Sequence, residues 1–302
     1  MLHSTTLKVL LAVDGSAHSE AAAEFVTEIN WPASASFEVL AVAPERWPLL
    51  AVSAEAQTLL EETANKVLQI ELASAERIAA RTAAGLLDHG LEAVGNVRTG
   101  RASQAILLRA DEIAADLIIV GARGLSAPGD FHLGSTAHQL ASDADQAVLI
   151  VRPPAQAQPL SVILAADGSP EAEQAAAFLC RLALPRWAEV AIVSVAEAEV
   201  ALPAGVSEPI LDMPAPVRRA LLDAADANAL GAAACLDDCA ADIKRSLRIG
   251  RPAEEILAAA SEHDADLIVL GARGHTRSAK SHLGGVAQKV VKYAPCSVLI
   301  VR

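Results

Sequence analysis

A glycine-rich loop in the first half of the chain has residue types that suit an anion. It runs from Gly121 and Gly124, across nine further residues, to Gly134 and Ser135. Glycine permits backbone conformations and close approaches that a side chain would block. A helix that begins at Gly134 and Ser135 would present unpaired N–H groups and its positive dipole end to a phosphate. The Ser135 hydroxyl has two alternative roles, as a further donor to that phosphate or as the N-cap of the helix.

A carboxylate near the start of the chain is the second candidate. Asp14 follows the apolar run Lys8–Val13. If this run is a strand beside the one that precedes Gly121, Asp14 stands in the crevice where open α/β sheets bind ligands. The carboxylate could there accept hydrogen bonds from a ribose or a base edge. The alternative is an Asp-Gly-Ser turn that caps the following helix.

Both features occur a second time, about 150 positions further on, which indicates the duplication of one domain. A domain of this size can hold a single core. We therefore predict domains at residues 1–152 and 160–302, joined by a connector with three prolines. The repeated segments are Asp116–Gly124 and Asp266–Gly274, His132–Gly134 and His282–Gly284, Val148–Arg152 and Val298–Arg302, and Val13–Ser16 and Ala166–Ser169.

Each copy alternates short β-branched runs with longer alanine-rich segments of helical period. This alternation is typical of a parallel sheet with helices on both faces. The predicted strands are Lys8–Val13, Phe37–Val42, Leu91–Arg98, Asp116–Val120 and Ala147–Val151, then Ser161–Ala166, Glu189–Val195, Ala241–Ile249, Asp266–Leu270 and Ser297–Val301. The predicted helices are Ala17–Ile29, Ala54–Ala84, Ala102–Ala114 and Ser135–Ser142, then Pro170–Leu182, Ala215–Leu230, Pro252–Glu262 and Gly285–Tyr293. Segments Ala43–Ser53 and Ala196–Pro214 contain several prolines and are predicted to loop over the sheet edge.

The composition disfavours several classes of protein. A chain of 302 residues with 53% hydrophobic content can bury two cores, and its 3% of aromatic residues makes those cores aliphatic. The formal net charge of −13 disfavours nonspecific binding to nucleic acid or to an anionic membrane. Without a recognisable leader or membrane-spanning run, we expect a soluble cytoplasmic protein. A duplicated disulfide framework would place cysteines in both copies, so we expect no structural disulfide among Cys180, Cys235, Cys239 and Cys296.

Together these residues resemble the universal stress protein family in its tandem two-domain form, over nearly the whole chain. The resemblance implies two Rossmann-like (adenine-nucleotide alpha hydrolase-like) domains, each a five-stranded parallel sheet in the order 3-2-1-4-5, and ATP as the ligand of many members. By this likeness Asp14 would meet the ribose or the adenine, and Val42 would meet the adenine through its backbone. The phosphates would be held by Gly121, Gly124, Gly134 and Ser135. The matching positions of the second copy are Asp167, Val195, Gly271, Gly274 and Gly284.

The second copy departs from this pattern, because Gly285 replaces Ser135 and removes one hydroxyl donor. The charged loop residues are Asp130 and His132 in the first copy and His275, Arg277, Lys280 and His282 in the second. The first copy thus keeps the motif, whereas the second offers attraction for a triphosphate, and the sequence leaves their ranking open. Arg123 and Arg273 occupy the same place in each loop, where they either reach a phosphate or pair with a surface carboxylate.

Motifs of other nucleotide-binding and catalytic classes are absent from the sequence. It contains no G-x4-GK[ST], no GxGxxG after the first strand of either copy, and no nucleophile elbow. The sequence therefore favours an ATP-binding regulatory or stress-response protein with at most slow hydrolysis. Mg²⁺ is expected to accompany the nucleotide, although no protein ligand for it is identifiable. The alternatives are a dimeric interaction scaffold that binds no nucleotide, and an enzyme that acts on an adenylated substrate.

The last strand of each copy is apolar and is expected at a sheet edge. These strands are Val148–Val151 and Val298–Val301. An uncovered edge strand invites pairing, and the family resemblance implies that these two edges pair. We therefore expect an intrachain pseudo-dimer, and a homodimer of two such chains is the further expectation.

Overall fold

The computed structural model describes residues 6–44, 54–125, 133–153, 160–182, 188–197, 199–201, 207–209, 213–236, 242–275 and 283–302. The elements of the first half are β1 (Lys8–Val13), α1 (Ala17–Glu28), β2 (Ser36–Ala43), α2 (Ala54–Asp88), β3 (Glu92–Thr99), α3 (Ala102–Glu112), β4 (Leu117–Gly121), α4 (Ser135–Asp143) and β5 (Ala147–Val151). Those of the second half are β6 (Ser161–Ala165), α5 (Pro170–Arg181), β7 (Glu189–Glu197), β8 (Glu199–Ala201), β9 (Ser207–Pro209), α6 (Ala215–Ala234), β10 (Asp242–Gly250), α7 (Pro252–Glu262), β11 (Leu267–Gly271), α8 (Gly285–Tyr293) and β12 (Ser297–Val301).

Each half forms a parallel five-stranded sheet with the same topology. The strand order is β3-β2-β1-β4-β5 in the first domain and β10-β7-β6-β11-β12 in the second. Every pair within a domain is parallel. The predicted order 3-2-1-4-5 is therefore confirmed in both domains. The chain reverses direction across the sheet between β1 and β4, and between β6 and β11, and this reversal opens a crevice at the carboxyl ends of these strands.

The two domains join through their last strands into one ten-stranded sheet. β5 and β12 pair antiparallel, with Leu149 opposite Leu299 at the centre of the register. Both leucines are fully buried, since the strands that would have been apolar sheet edges cover each other. The predicted pairing of the two halves within the chain is thus confirmed.

Helices cover both faces of this sheet because the central strands are apolar on both sides. In β4, Leu117 and Ile119 face one layer of helices, whereas Ile118 and Val120 face the other. The first layer contains α1, α2, α5 and α6, and the second contains α3, α4, α7 and α8. Each buried cluster includes residues of both domains, so the two domains share one continuous core on each face.

Two matched arginines form hydrogen bonds across the junction between the domains. Arg152 and Arg302 follow β5 and β12, and each is mostly buried against the other domain. Their guanidinium groups donate to backbone carbonyls 2.5 to 3.0 Å away, those of Val291 and Cys296 for Arg152 and those of Ala141 and Gln146 for Arg302. The cations lie near the carboxyl ends of α8 and α4, where a positive charge is favourable. Burial lowers the pKa of Arg152, and it lowers the pKa of Arg302 to about 10.

Two expectations from the sequence are wrong. The segment that follows β7 forms the antiparallel pair β8–β9 and is not simply a loop. Cys180 is disulfide-bonded, whereas Cys235 and Cys296 are in no disulfide and Cys239 lies outside the described residues. Residues 45–53 of the predicted loop and 154–159 of the predicted connector also lie outside the described residues. Within the described chain, no helix has the length and hydropathy needed to span a bilayer.

Candidate functional site

The predicted carboxylates lie at the carboxyl end of the first strand of each domain and stabilise a turn there. Asp14 Oδ1 accepts from the Ser16 amide at 2.9 Å, and Asp167 Oδ1 accepts from the Ser169 amide at the same distance. The intervening Gly15 and Gly168 have φ of +77° and +78°, which favours glycine. The serines are the N-caps of α1 and α5. The predicted Asp-Gly-Ser turn therefore forms in both domains.

The second carboxylate oxygen of each aspartate faces the glycine-rich loop. In the first domain Asp14 Oδ2 accepts from the Leu125 amide at 3.2 Å. A Cβ at Gly124 would lie 2.6 Å from this oxygen, and a Cβ at Gly274 would collide with Asp167 Oδ2. These two glycines are required because the carboxylate occupies the space that a side chain would fill.

The first glycine of each loop has a packing role. A Cβ at Gly121 would lie 2.6 Å from the carbonyl carbon of His18 in α1, and a Cβ at Gly271 would lie 2.9 Å from that of Glu171 in α5. These glycines let a helix approach the end of the neighbouring strand. Gly271 also lines a cavity, so a ligand in that cavity could contact it, as the sequence predicts.

The helix that follows the first loop begins one residue earlier than a Ser135 cap would require. Gly134 is the N-cap of α4 and Ser135 its first residue, so the interpretation of Ser135 as a cap is wrong. The Gly134 and Gly284 amides each donate to a loop carbonyl at 2.8 Å. The first bonds of α4 and α8 to the capping carbonyl come from His138 and Gln288. The three preceding amides of each helix are therefore available to an anion.

In the second domain the predicted site residues line one cavity of about 380 Å³. Its lining includes every nucleotide-contact residue predicted for this copy, namely Asp167, Val195, Gly271, Arg273, Gly274, Gly284 and Gly285. They come from β6, β7, β11, the loop after β11 and the start of α8. The topology thus brings together residues that are up to 118 positions apart (167 to 285) in the sequence.

The lining of this cavity combines apolar and polar residues. Side chains of Val193, Val195, Ile256 and Leu270 supply an apolar part. Arg273 stands at the other part, with its side chain exposed and in no ion pair with a described residue. Within the described part of the chain, Arg273 therefore does not form the ion pair with a surface carboxylate that was the alternative to phosphate binding.

His275 fixes the start of the second loop on the aspartate turn. Its Nε2 lies 2.7 Å from the carbonyl oxygen of Asp167, and the residue also lines the cavity. The remaining charged loop residues of the sequence analysis lie outside the described residues, namely Asp130, His132, Arg277, Lys280 and His282.

The first domain is arranged differently at the same crevice. A cavity of about 580 Å³ lies between α1 and α2, and it is lined by Asp14 and Leu125 together with residues of those helices. Of the site residues predicted for this copy, Val42, Gly121, Arg123, Gly124, Gly134 and Ser135 are not among its described lining residues. Burial, followed by the charges of Arg123 and Arg152, lowers the pKa of His18 beside this crevice.

Two polar residues of the second-domain cavity were missed by the sequence analysis. Asn228 of α6 and Glu197 at the end of β7 both line the cavity. The signal for Asn228 was present, because the matched position in the first copy is Ile78, 150 residues earlier. A polar residue opposite an aliphatic one, in an otherwise similar pair of helices, indicates a local difference in function.

A duplicated parallel sheet, with a carboxylate turn and a glycine-rich loop at each reversal point, defines a tandem Rossmann-like α/β protein. The chain belongs to the universal stress protein family. Residues 6–152 and 161–302 each match the family.

Individual relatives agree with this assignment. A universal stress protein of Thermus aquaticus is 38% identical over 144 residues, which is 47% of this chain and 98% of the relative. A crystal structure of a universal stress protein from Archaeoglobus fulgidus covers 99% of both chains at 19% identity, with a TM-score of 0.58. A putative universal stress protein from Pseudomonas aeruginosa covers 98% of this chain and 93% of its own at 14% identity, with a TM-score of 0.59. At these identities the two structures show the shared fold.

Proposed function

We propose that this chain binds an adenine nucleotide, ATP accompanied by Mg²⁺, in the cavity of the second domain. The protein would act as a nucleotide-sensing regulator of the stress response, with at most slow hydrolysis. The observation that carries this proposal is the convergence of all seven second-copy site residues on one cavity of about 380 Å³. This volume lies in the range of about 300–1,000 Å³ that is common for small-molecule sites.

The chemistry of the cavity suits the parts of a nucleotide. The apolar wall of Val193, Val195, Ile256 and Leu270 suits a base, and the amides at the start of α8 together with Arg273 suit phosphates. The described residues contain no group of three His, Cys, Asp or Glu that could hold a metal ion. Mg²⁺ would therefore be held by phosphate oxygens and water, as is usual for this ion.

Titration calorimetry with ATP on the full chain tests the proposal. Asp167→Asn is expected to weaken binding about 10- to 100-fold, because a hydrogen bond to a charged group contributes about 1.5–3 kcal/mol. The matched Asp14→Asn should leave the affinity of the second site within about twofold. Wild-type protein that binds no ATP at millimolar concentration would contradict the proposal and support the scaffold alternative.

A further inference from the structure

Asn228 places a polar side chain at the aspartate turn of the second domain. The residue lies on α6, is half-buried and lines the cavity. A Cβ on Gly168, the residue after Asp167, would collide with Asn228 Oδ1. The amide of Asn228 makes no hydrogen bond with the described residues, although it carries both donors and an acceptor. A polar group held at the cavity wall without a protein partner is suited to bind a ligand.

The position of Asn228 along the cavity indicates which part of a nucleotide it would meet. The strands that end at the cavity lie in the order β7, β6, β11. Val193 and Val195 of the apolar wall lie on β7, and the glycine-rich loop follows β11. Asp167 lies two residues after the end of β6, which is the strand between β7 and β11. In a nucleotide that spans the cavity, the sugar links base and phosphates and therefore lies at Asp167 and Asn228.

The first domain lacks this group at the matched position. Ile78 of α2 replaces Asn228, and its Cδ1 would lie 3.0 Å from a Cβ on Gly15. The two side chains thus cover the matched turns from the matched helices of the two domains, one with an amide and one with a methyl group. An aliphatic side chain offers no hydrogen bond to a sugar hydroxyl.

We propose that Asn228 hydrogen-bonds to the sugar hydroxyls of a nucleotide in the second-domain cavity and makes this cavity selective for ribonucleotides. The inference rests on the proposed function, since it concerns the same ligand. Asp167 accepts from one hydroxyl and Asn228 pairs with the neighbouring hydroxyl. A deoxynucleotide leaves one of these groups unpaired, which is how a site that binds a hydroxyl rejects an analogue without it.

Titration calorimetry with ATP, 2′-deoxy-ATP and 3′-deoxy-ATP tests this inference on the full chain. Wild-type protein should prefer ATP over each deoxy analogue by about tenfold, the effect of one hydrogen bond of about 1.4 kcal/mol. Asn228→Ile, which copies the first domain, should lose the preference over one analogue and keep the preference over the analogue that lacks the hydroxyl bound by Asp167. The matched Ile78→Asn should leave the preference at the second site unchanged.

The outcomes separate the two proposals. No ATP binding by the wild-type protein overturns the proposed function and this inference with it. ATP binding without a preference for the ribose form, or an Asn228→Ile variant that keeps the preference over both deoxy analogues, overturns the inference alone. A thermal unfolding midpoint for Asn228→Ile within about 2 °C of wild type shows that its loss of selectivity is not a loss of fold.

Discussion

The crevices of the two domains have the same backbone but different side chains. In both, a carboxylate turn precedes a capped helix, and the glycine that caps the last helix donates to a loop carbonyl at 2.8 Å. The side chains that can reach a ligand differ. The first crevice has Ile78, Leu125 and Ser135, whereas the second has Asn228, His275 and Gly285 at the matched positions.

This difference shows at which positions the backbone requires glycine and at which positions it allows a side chain. Glycine is present in both copies where a Cβ would collide, as at Gly124 and Gly274. It is not required at Gly285, where a Cβ would meet nothing within 4 Å, and the matched residue is Ser135. The duplicated scaffold thus repeats the glycine-rich loop in both domains, and under the proposed function the variable positions would determine which crevice binds the nucleotide more tightly.

The two domains also differ in the side chains that they bury between a helix and the sheet. Arg109 of α3 and Glu38 of β2 form a bidentate ion pair in the first domain, at 2.7 and 2.8 Å. The matched residues of the second domain are Ala259 and Ala191, both buried. One domain therefore fills this space with a paired charge, and the other fills it with close helix–sheet packing.

The largest expected effect comes from breaking that ion pair. Glu38→Ala should lower the free energy of unfolding by about 3 kcal/mol, because it leaves a mostly buried guanidinium without its main partner. The double variant Glu38→Ala/Arg109→Ala, which copies the second domain, should recover at least half of this loss. Urea denaturation measures both. A double variant as unstable as the single one would contradict the interpretation.

The second prediction concerns the glycine that makes room for the carboxylate. Gly274→Val should weaken ATP binding about 100-fold, because the new side chain displaces Asp167 from its position. Gly124→Val makes the same change in the first domain and should alter the affinity of the second site less than twofold. Calorimetry compares the two variants. Equal losses would show that the crevices do not differ in the proposed way.

The third prediction concerns the arginine of each loop. Arg273→Ala should weaken ATP binding about tenfold and reduce its salt dependence, since an exposed cation attracts phosphate through screened charge. Arg123→Ala is the control in the first domain, and it should leave the second site unchanged. Affinities at 50 mM and 500 mM salt give both quantities. A salt dependence that Arg273→Ala does not alter would exclude a direct role for this arginine.

The smallest effect is expected from His18, which stands where the second domain has Glu171. Its pKa is lowered in the folded protein, first by burial and then by Arg123 and Arg152. The unfolded chain, with a histidine pKa near 6.5, therefore binds protons more readily, so stability falls as the pH drops through 6.5. Urea denaturation at pH 7.5 and 5.5 should show a smaller drop for His18→Gln than for wild type. An unchanged drop would assign the pH dependence to other groups.

Sequence alone predicted the features that depend on local pattern and repetition. The aspartate turn follows from an Asp-Gly-Ser spacing that occurs twice. The strand order and the pairing of β5 with β12 were implied by the family resemblance that the repeated motifs carry. The β8–β9 pair was not predicted, because its strands are three residues long and lack alternation.

Contacts between segments that are distant in the sequence also could not be predicted from the sequence. The terminal arginines, Arg152 and Arg302, are visible as a repeat, but their carbonyl partners across the junction are not. The role of Asn228 depends on how α6 packs over the turn at Gly168, which only the three-dimensional structure shows.

The central claim is that the second-domain crevice is the nucleotide site of this protein. A crystal structure of the full chain grown with millimolar ATP and Mg²⁺ tests it most directly. We predict nucleotide density across the ends of β7, β6 and β11, with the sugar between Asp167 and Asn228. Density in the first domain alone, or an ATP-free second crevice in crystals that leave it accessible, would contradict the claim.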